Sequence, residues 1–136
     1  MNTIALIVVA AAALVIILAA ETFRRRRPRT LKMAIYTERW RELQKHCAQR
    51  TTWPLAIIEA DNLLDKALRE SKYKGKTTGE RLVAAQRVLT SNDTVWYGHK
   101  LRNRIVHEDV RKIKKQDVLE ALNGFRQALK DLGALK

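Results

Sequence analysis

Three residues suited to working on a phosphate stand close together late in the chain. Arg102 carries a planar guanidinium fork that can grip two phosphate oxygens at once. His107 carries an imidazole that exchanges its proton near neutrality, as a general base or acid must. Asn103 lies four residues before His107, one helical turn away, where its amide can orient the ring. His99 extends the same stripe by another turn. All four fall in W-Y-G-H-K-L-R-N-R-I-V-H-E, residues 96–108, which is roughly four turns of helix. Leu101 and Ile105 occupy a separate face, with Thr94, Tyr97 and Gly98 nearby, and that face can enter a core. The plainer reading of the same residues is architectural. Asn103, His107 and His99 can satisfy buried polar groups at a helix crossing, and Arg102 can pair with an acid.

Arg102, Asn103 and His107 spell R-N-x-x-x-H. This resembles the signature of HEPN domains, compact helical bundles found in ribonuclease toxins, antiphage effectors and nucleotide-binding modules. The resemblance covers about residues 37–136. With the apolar segment ahead of it, that stretch also resembles small bacterial membrane-anchored proteins carrying A-I-I-E-A-D-N-L-L-D and H-K-L-R-N-R-I-V-H-E. The HEPN likeness implies metal-independent cleavage of RNA, leaving a 2′,3′-cyclic phosphate and a 5′-hydroxyl. Under it Arg102 holds the phosphate, His107 moves the proton and Asn103 orients His107. Arg104 and Arg111 would favour the neutral imidazole that a base requires. The family also places a polar residue of an earlier helix close to the motif. Glu59 and Asp65 are the candidates for that role, with His99 as a further supporting residue.

Five residues separate Arg102 from His107, so the two diverge by about 140° around a helix. One straight helix does not aim both at one phosphate. Either the helix loosens near His107, or a second copy completes the site. HEPN ribonucleases take the second route, so the resemblance implies a homodimer through this helix.

The rest of the chain must position that stretch. Residues 4–20 are apolar without interruption and span about 25 Å as a helix, close to the hydrocarbon thickness of a bilayer. No basic side chain precedes them, as a cleaved signal peptide would require. Arg24, Arg25, Arg26 and Arg27 follow them directly and predict a transmembrane anchor with the remainder in the cytoplasm. The expected organisation is an anchor over 1–23, a basic juxtamembrane linker over 24–36 and a helical domain over 37–136. The expected location is the bacterial cytoplasmic membrane, with the N-terminus outside.

Within the domain the periodicity predicts an all-α bundle of about five helices. Tyr36, Trp40, Leu43 and Cys47 form one stripe, with Thr37 as the expected N-cap of a helix over 37–49. Pro54 suits the first turn of a helix over 54–72. Thr77 and Glu80 match a capping box opening a helix that should reach about Thr90. The motif helix should end near Glu108 and Asp109. Asp117 and Glu120 suit the first turn of a last helix that Gly133 stops.

The formal charge is +13. Without Glu21 and the five arginines of residues 24–29, 22 basic residues still face 13 acidic ones, a net +9. That balance favours polyanions, either phosphate backbones or acidic lipid head groups. Lys100, Arg104, Arg111, Lys112, Lys114 and Lys115 are the candidate phosphate contacts. Cys47 is the one cysteine, so no intramolecular disulfide forms, and no metal-ligand spacing is present. No cofactor is implied. The leading expectation is an anchored domain that binds a partner, RNA or nucleotide; the alternative is an endoribonuclease.

Overall fold

The computed structural model describes residues 2–26, 30–108 and 112–136. Every regular element among them is helical. In order these are α1 (Thr3–Arg26), α2 (Met33–Gln44), α3 (Trp53–Glu70), α4 (Thr78–Ala85), α5 (Asn92–His107) and α6 (Lys115–Asp131). Two short 3₁₀ turns, Lys45–Ala48 and Arg50–Thr52, join α2 to α3.

Helix α1 has no protein surface to bury it. Thr3–Thr22 has a mean hydropathy of 3.0, and none of it is covered by the rest of the chain. Ile4 is 75% exposed and Ile16 68%. Twenty residues make a helix of about 30 Å, long and apolar enough to cross a membrane.

The bundle is built on α3, which touches α2, α4, α5 and α6. Ile57, Ala60, Leu64, Ala67 and Leu68 of α3 are fully buried. Tyr36, Trp40 and Leu43 of α2 meet them at the expected spacing. Helix α2 begins at Met33, four residues ahead of the expected cap. Thr37 is therefore an exposed residue inside the helix, and the carbonyl of Lys32 accepts the amides of Ile35 and Tyr36. The earlier start places Tyr36 in the core, with its hydroxyl donating to Glu70 Oε2 at 2.8 Å.

Pro54 falls in the first turn of α3 as expected, and Thr77 Oγ1 accepts the amide of Glu80 at 3.2 Å to open α4; the Glu80 carboxylate accepts the amide of Lys76 instead of that of Thr77, so half of the expected capping box forms. Helix α4 stops at Ala85, well short of Thr90. Side chains take over the groups that a longer helix would use. Asn92 Nδ2 donates to the carbonyls of Gln86 and Leu89, and the Asp131 carboxylate accepts both the amide and the hydroxyl of Thr90.

Helices α5 and α6 run antiparallel and nearly touch. A Cβ at Gly124 would lie 2.4 Å from the backbone oxygen of Thr94, and one at Gly98 would lie 2.8 Å from the Phe125 ring. Only glycine permits this approach. Gly133, at φ +78°, closes the chain after α6 as expected.

The pairings set two ends of the bundle. Tyr36 meets Glu70 and His46 meets Glu59, so α2 and α3 are antiparallel. Thr90 meets Asp131 and Tyr97 meets Asp117, so α5 starts where α6 finishes. Met33 and Leu135 line one hollow, while Gln44 and Leu119 line the next. The start of α2 and the end of α6 thus share one end of the bundle. The end of α5 and the start of α6 share the other, about 25 Å away along α6.

Candidate functional site

Asp61 is the centre of the polar cluster around α5. It is 1% exposed, and a carboxylate that deep needs hydrogen bonds and an opposing charge. Both come from α5. His99 Nδ1 lies 2.8 Å from Asp61 Oδ1, and Arg102 Nε lies 3.5 Å from Oδ2. The second contact is an ion pair without hydrogen-bond alignment, since Arg102 Nε is buried and has no acceptor. Asn103 closes the ring. Its Nδ2 lies 3.3 Å from His99 Nε2, and its Oδ1 accepts from Arg102 Nη1 at 3.2 Å. A proton on His99 Nδ1 satisfies both ring nitrogens: Nδ1–H donates to Asp61, and Nε2 accepts from the amide.

The cluster is covered. His99 is 7% exposed, and Trp96 meets its ring edge-on at 5.7 Å. Gly79 of α4 lies over the same ring, where an added Cβ would stand 3.7 Å from Nε2 and 3.5 Å from Trp96. An acid–imidazole pair of this kind can hold a base in one orientation. Here, however, the free nitrogen already meets Asn103 and the ring lies under α4. Its chemistry is that of a charge-paired crossing between α3 and α5.

The sequence motif is therefore divided. Arg102 and Asn103 join His99 and Asp61, whereas His107 sits exposed in the last turn of α5. Neither acid singled out beforehand meets the motif. Glu59 pairs with His46 at 3.3 Å. Asp65 binds Arg81 at 2.8 Å, Thr78 at 3.0 Å and Arg69 at 3.1 Å. These partners hold them on the flanks of α3 that face α2 and α4, and Asp61 takes the position opposite α5. The signal for Asp61 was its spacing. Ile57, Asp61, Leu64 and Leu68 fall at i, i+4, i+7 and i+11, so the aspartate occupies a core position in an apolar stripe. Arg81, 9% exposed and next to buried Leu82, was missed in the same way.

The basic candidates gather at the far end of the bundle. Lys100 and Arg104 are exposed on α5, and Arg104 lies a loose 3.9 Å from Glu108. Lys112, Lys114 and Lys115 are exposed at the entry to α6, where buried Ile113 pins the segment to the core. Arg111 lies outside the described residues, as do Arg27 and Arg29, while Arg24, Arg25 and Arg26 belong to the last turn of α1.

Other titratable groups nearby have structural causes for their shifts. Burial, then a hydrogen bond to Asp117, pushes Tyr97 up to about 12. The same bond, then the amide of Lys114, holds Asp117 below the usual carboxylate range. Burial raises the Cys47 thiol, which leaves it less reactive than a free cysteine. No family model, curated protein or solved structure matches this chain.

Proposed function

We propose that this chain is a single-pass membrane-anchored helical module that binds a polyanion, RNA being the class that fits, with the end of its bundle remote from the anchor. The observation that carries the reading is the distribution of exposed cations. Lys112, Lys114 and Lys115 stand at the start of α6 with Arg104 close by, about 25 Å from the end at which the chain arrives from α1. A cationic surface held away from the bilayer is accessible to a long phosphate backbone. The arginines after α1 orient the anchor, so the bundle lies in the bacterial cytoplasm. Protease added to intact cells should then leave it uncut.

Binding of labelled RNA to the full chain in nanodiscs should weaken steeply with salt. Replacing Lys112, Lys114 and Lys115 together by glutamine should lower the logarithmic salt slope by about 2, at ~0.7 per single-strand phosphate contact. A slope unchanged by the triple substitution would refute this surface as the binding site.

The second reading is metal-independent RNA cleavage, and the exposure of His107 one turn beyond Asn103 favours it. Arg102 retains 26% side-chain exposure, enough for one edge of its fork to meet a phosphate. The two residues diverge on α5, so the site requires a homodimer with Arg102 of one copy facing His107 of the other. Anchoring both copies in one membrane raises their local concentration. Cleavage in EDTA should vanish in Arg102→Lys and in His107→Ala, and mixing the two variants should restore part of it. An intact RNA after incubation with the unmodified chain would rule this reading out.

A further inference from the structure

The geometry points to a second anion site, at the opposite end of the bundle: a hollow between α2 and the end of α6 that takes the head group of an anionic phospholipid. This rests on α1 lying in a bilayer but not on the RNA-binding reading. The hollow has a volume of about 540 Å³, and Met33, Trp40, Arg41, Arg126 and Leu135 are among its lining. Its walls are therefore part apolar and, with Arg41, Arg126 and Lys136 against Glu38, cationic on balance, as the boundary between acyl chains and head groups is part apolar and part anionic.

Three observations favour a lipid there. The first is reach. Six residues separate Arg26, the end of α1, from Met33, the start of α2. Fully extended they cover at most about 24 Å, so the end of the bundle that contains the hollow is held near the bilayer surface. Ile35, 42% exposed on the first turn of α2, adds apolar surface on that side.

The second is charge. Arg126 is exposed and forms no ion pair among the described residues. Arg41 pairs with Glu38 at 2.8 Å, but both side chains are well exposed, so the pair is weak and open to exchange for a phosphate.

The third is an unsatisfied donor. Trp40 is 7% exposed, lines this hollow and the adjoining one, and its indole N–H is buried without an acceptor. Buried indole N–H groups usually find a partner. A phosphate or glycerol oxygen entering beside Arg126 and displacing the side chains that close over the indole would supply one.

The test uses the full chain carrying Trp53→Phe and Trp96→Phe, so that Trp40 alone emits. It is reconstituted into vesicles of phosphatidylcholine, with or without phosphatidylglycerol, each containing a lipid spin-labelled at its head group. Co-flotation with the vesicles reports insertion of α1 separately from the result. Anionic lipid should strengthen quenching of Trp40 at least about twofold. Arg126→Gln, an exposed substitution, should remove that gain. Equal quenching in both lipids, or a gain that survives Arg126→Gln, overturns the site. A comparable change on adding inorganic phosphate to phosphatidylcholine vesicles would assign it to a free anion and also overturn the lipid. Should the double tryptophan variant not fold, Trp40→Phe in the otherwise native chain gives the same component by difference, and its persistence there overturns the proposal.

Discussion

His99 and His107 sit eight residues apart on one stripe of α5, each four residues from Asn103. In the middle of the helix, His99 is buried against Asp61, and in the last turn His107 is open to solvent. Nothing within the α5 sequence distinguishes them. The difference comes from α3 and α4, which set Asp61 and Gly79 against the first histidine and leave the second exposed. A side chain's role here follows from the partner surface it meets rather than from its spacing to its neighbours.

The comparison breaks most visibly at Asp61. Asp61→Ala leaves His99 buried and Arg102 part-buried without their acid, and should cost about 3–5 kcal/mol in denaturant unfolding. A loss below about 1 kcal/mol would mean that the cluster is hydrated and that the two histidines differ less than their burial implies. His99→Ala comes next, at about 1–3 kcal/mol, because it orphans both Asp61 and Asn103. A double-mutant cycle between Asp61 and His99 should give a coupling of about 0.5–3 kcal/mol, and additivity would deny the contact.

Tyr97 is an intermediate case on the same helix, half-buried and tied to Asp117. Its folded pKa is raised from 10.0 to about 12, so the stability it adds is complete below pH 10.0 and is lost as pH rises toward 12. Asp117 is depressed, so its contribution is complete above the ordinary value of 3.8 and fades as pH falls through the lower folded value. Tyr97→Phe should flatten the alkaline limb of a stability–pH curve, and Asp117→Asn the acid limb. Unchanged limbs would show that the pair is already broken in solution. His107→Ala should do least, within about 0.5 kcal/mol, as for other exposed sites. A larger loss would place His107 in a contact formed outside the isolated chain.

Much of the helical layout was legible because its signals are local. The Thr77 cap, Pro54 and Gly133 each act within one turn of where they stand. Their neighbours were less legible wherever a distant group intervened. Helix α4 ends early because Asn92 and Asp131 capture the backbone beyond it, and Asp131 lies 41 residues from Thr90. The motif residues were visible by type, but their division was not. Arg102 and Asn103 turn inward because Asp61 awaits them, and that carboxylate was one of several acids crowded on α3. Gly98 and Gly124 look unremarkable in one dimension, yet they bring the backbones of α5 and α6 close together.

The buried Asp61 cluster also bears on the order in which the molecule can be assembled. Helices α2 and α3 form one antiparallel hairpin and α5 and α6 another, and Asp61, His99 and Arg102 lie on the seam between them. During synthesis the end of the first hairpin, Glu70, leaves the ribosome 22 residues ahead of Asn92, the start of α5, after the anchor has been made. Until α5 arrives, Asp61 lacks the His99 and Arg102 partners that balance its burial. Docking of the second hairpin then neutralises the acid and seals the seam in one step. Late in translation, the nascent chain would thus hold an open, acid-marked groove that only its own C-terminal half completes.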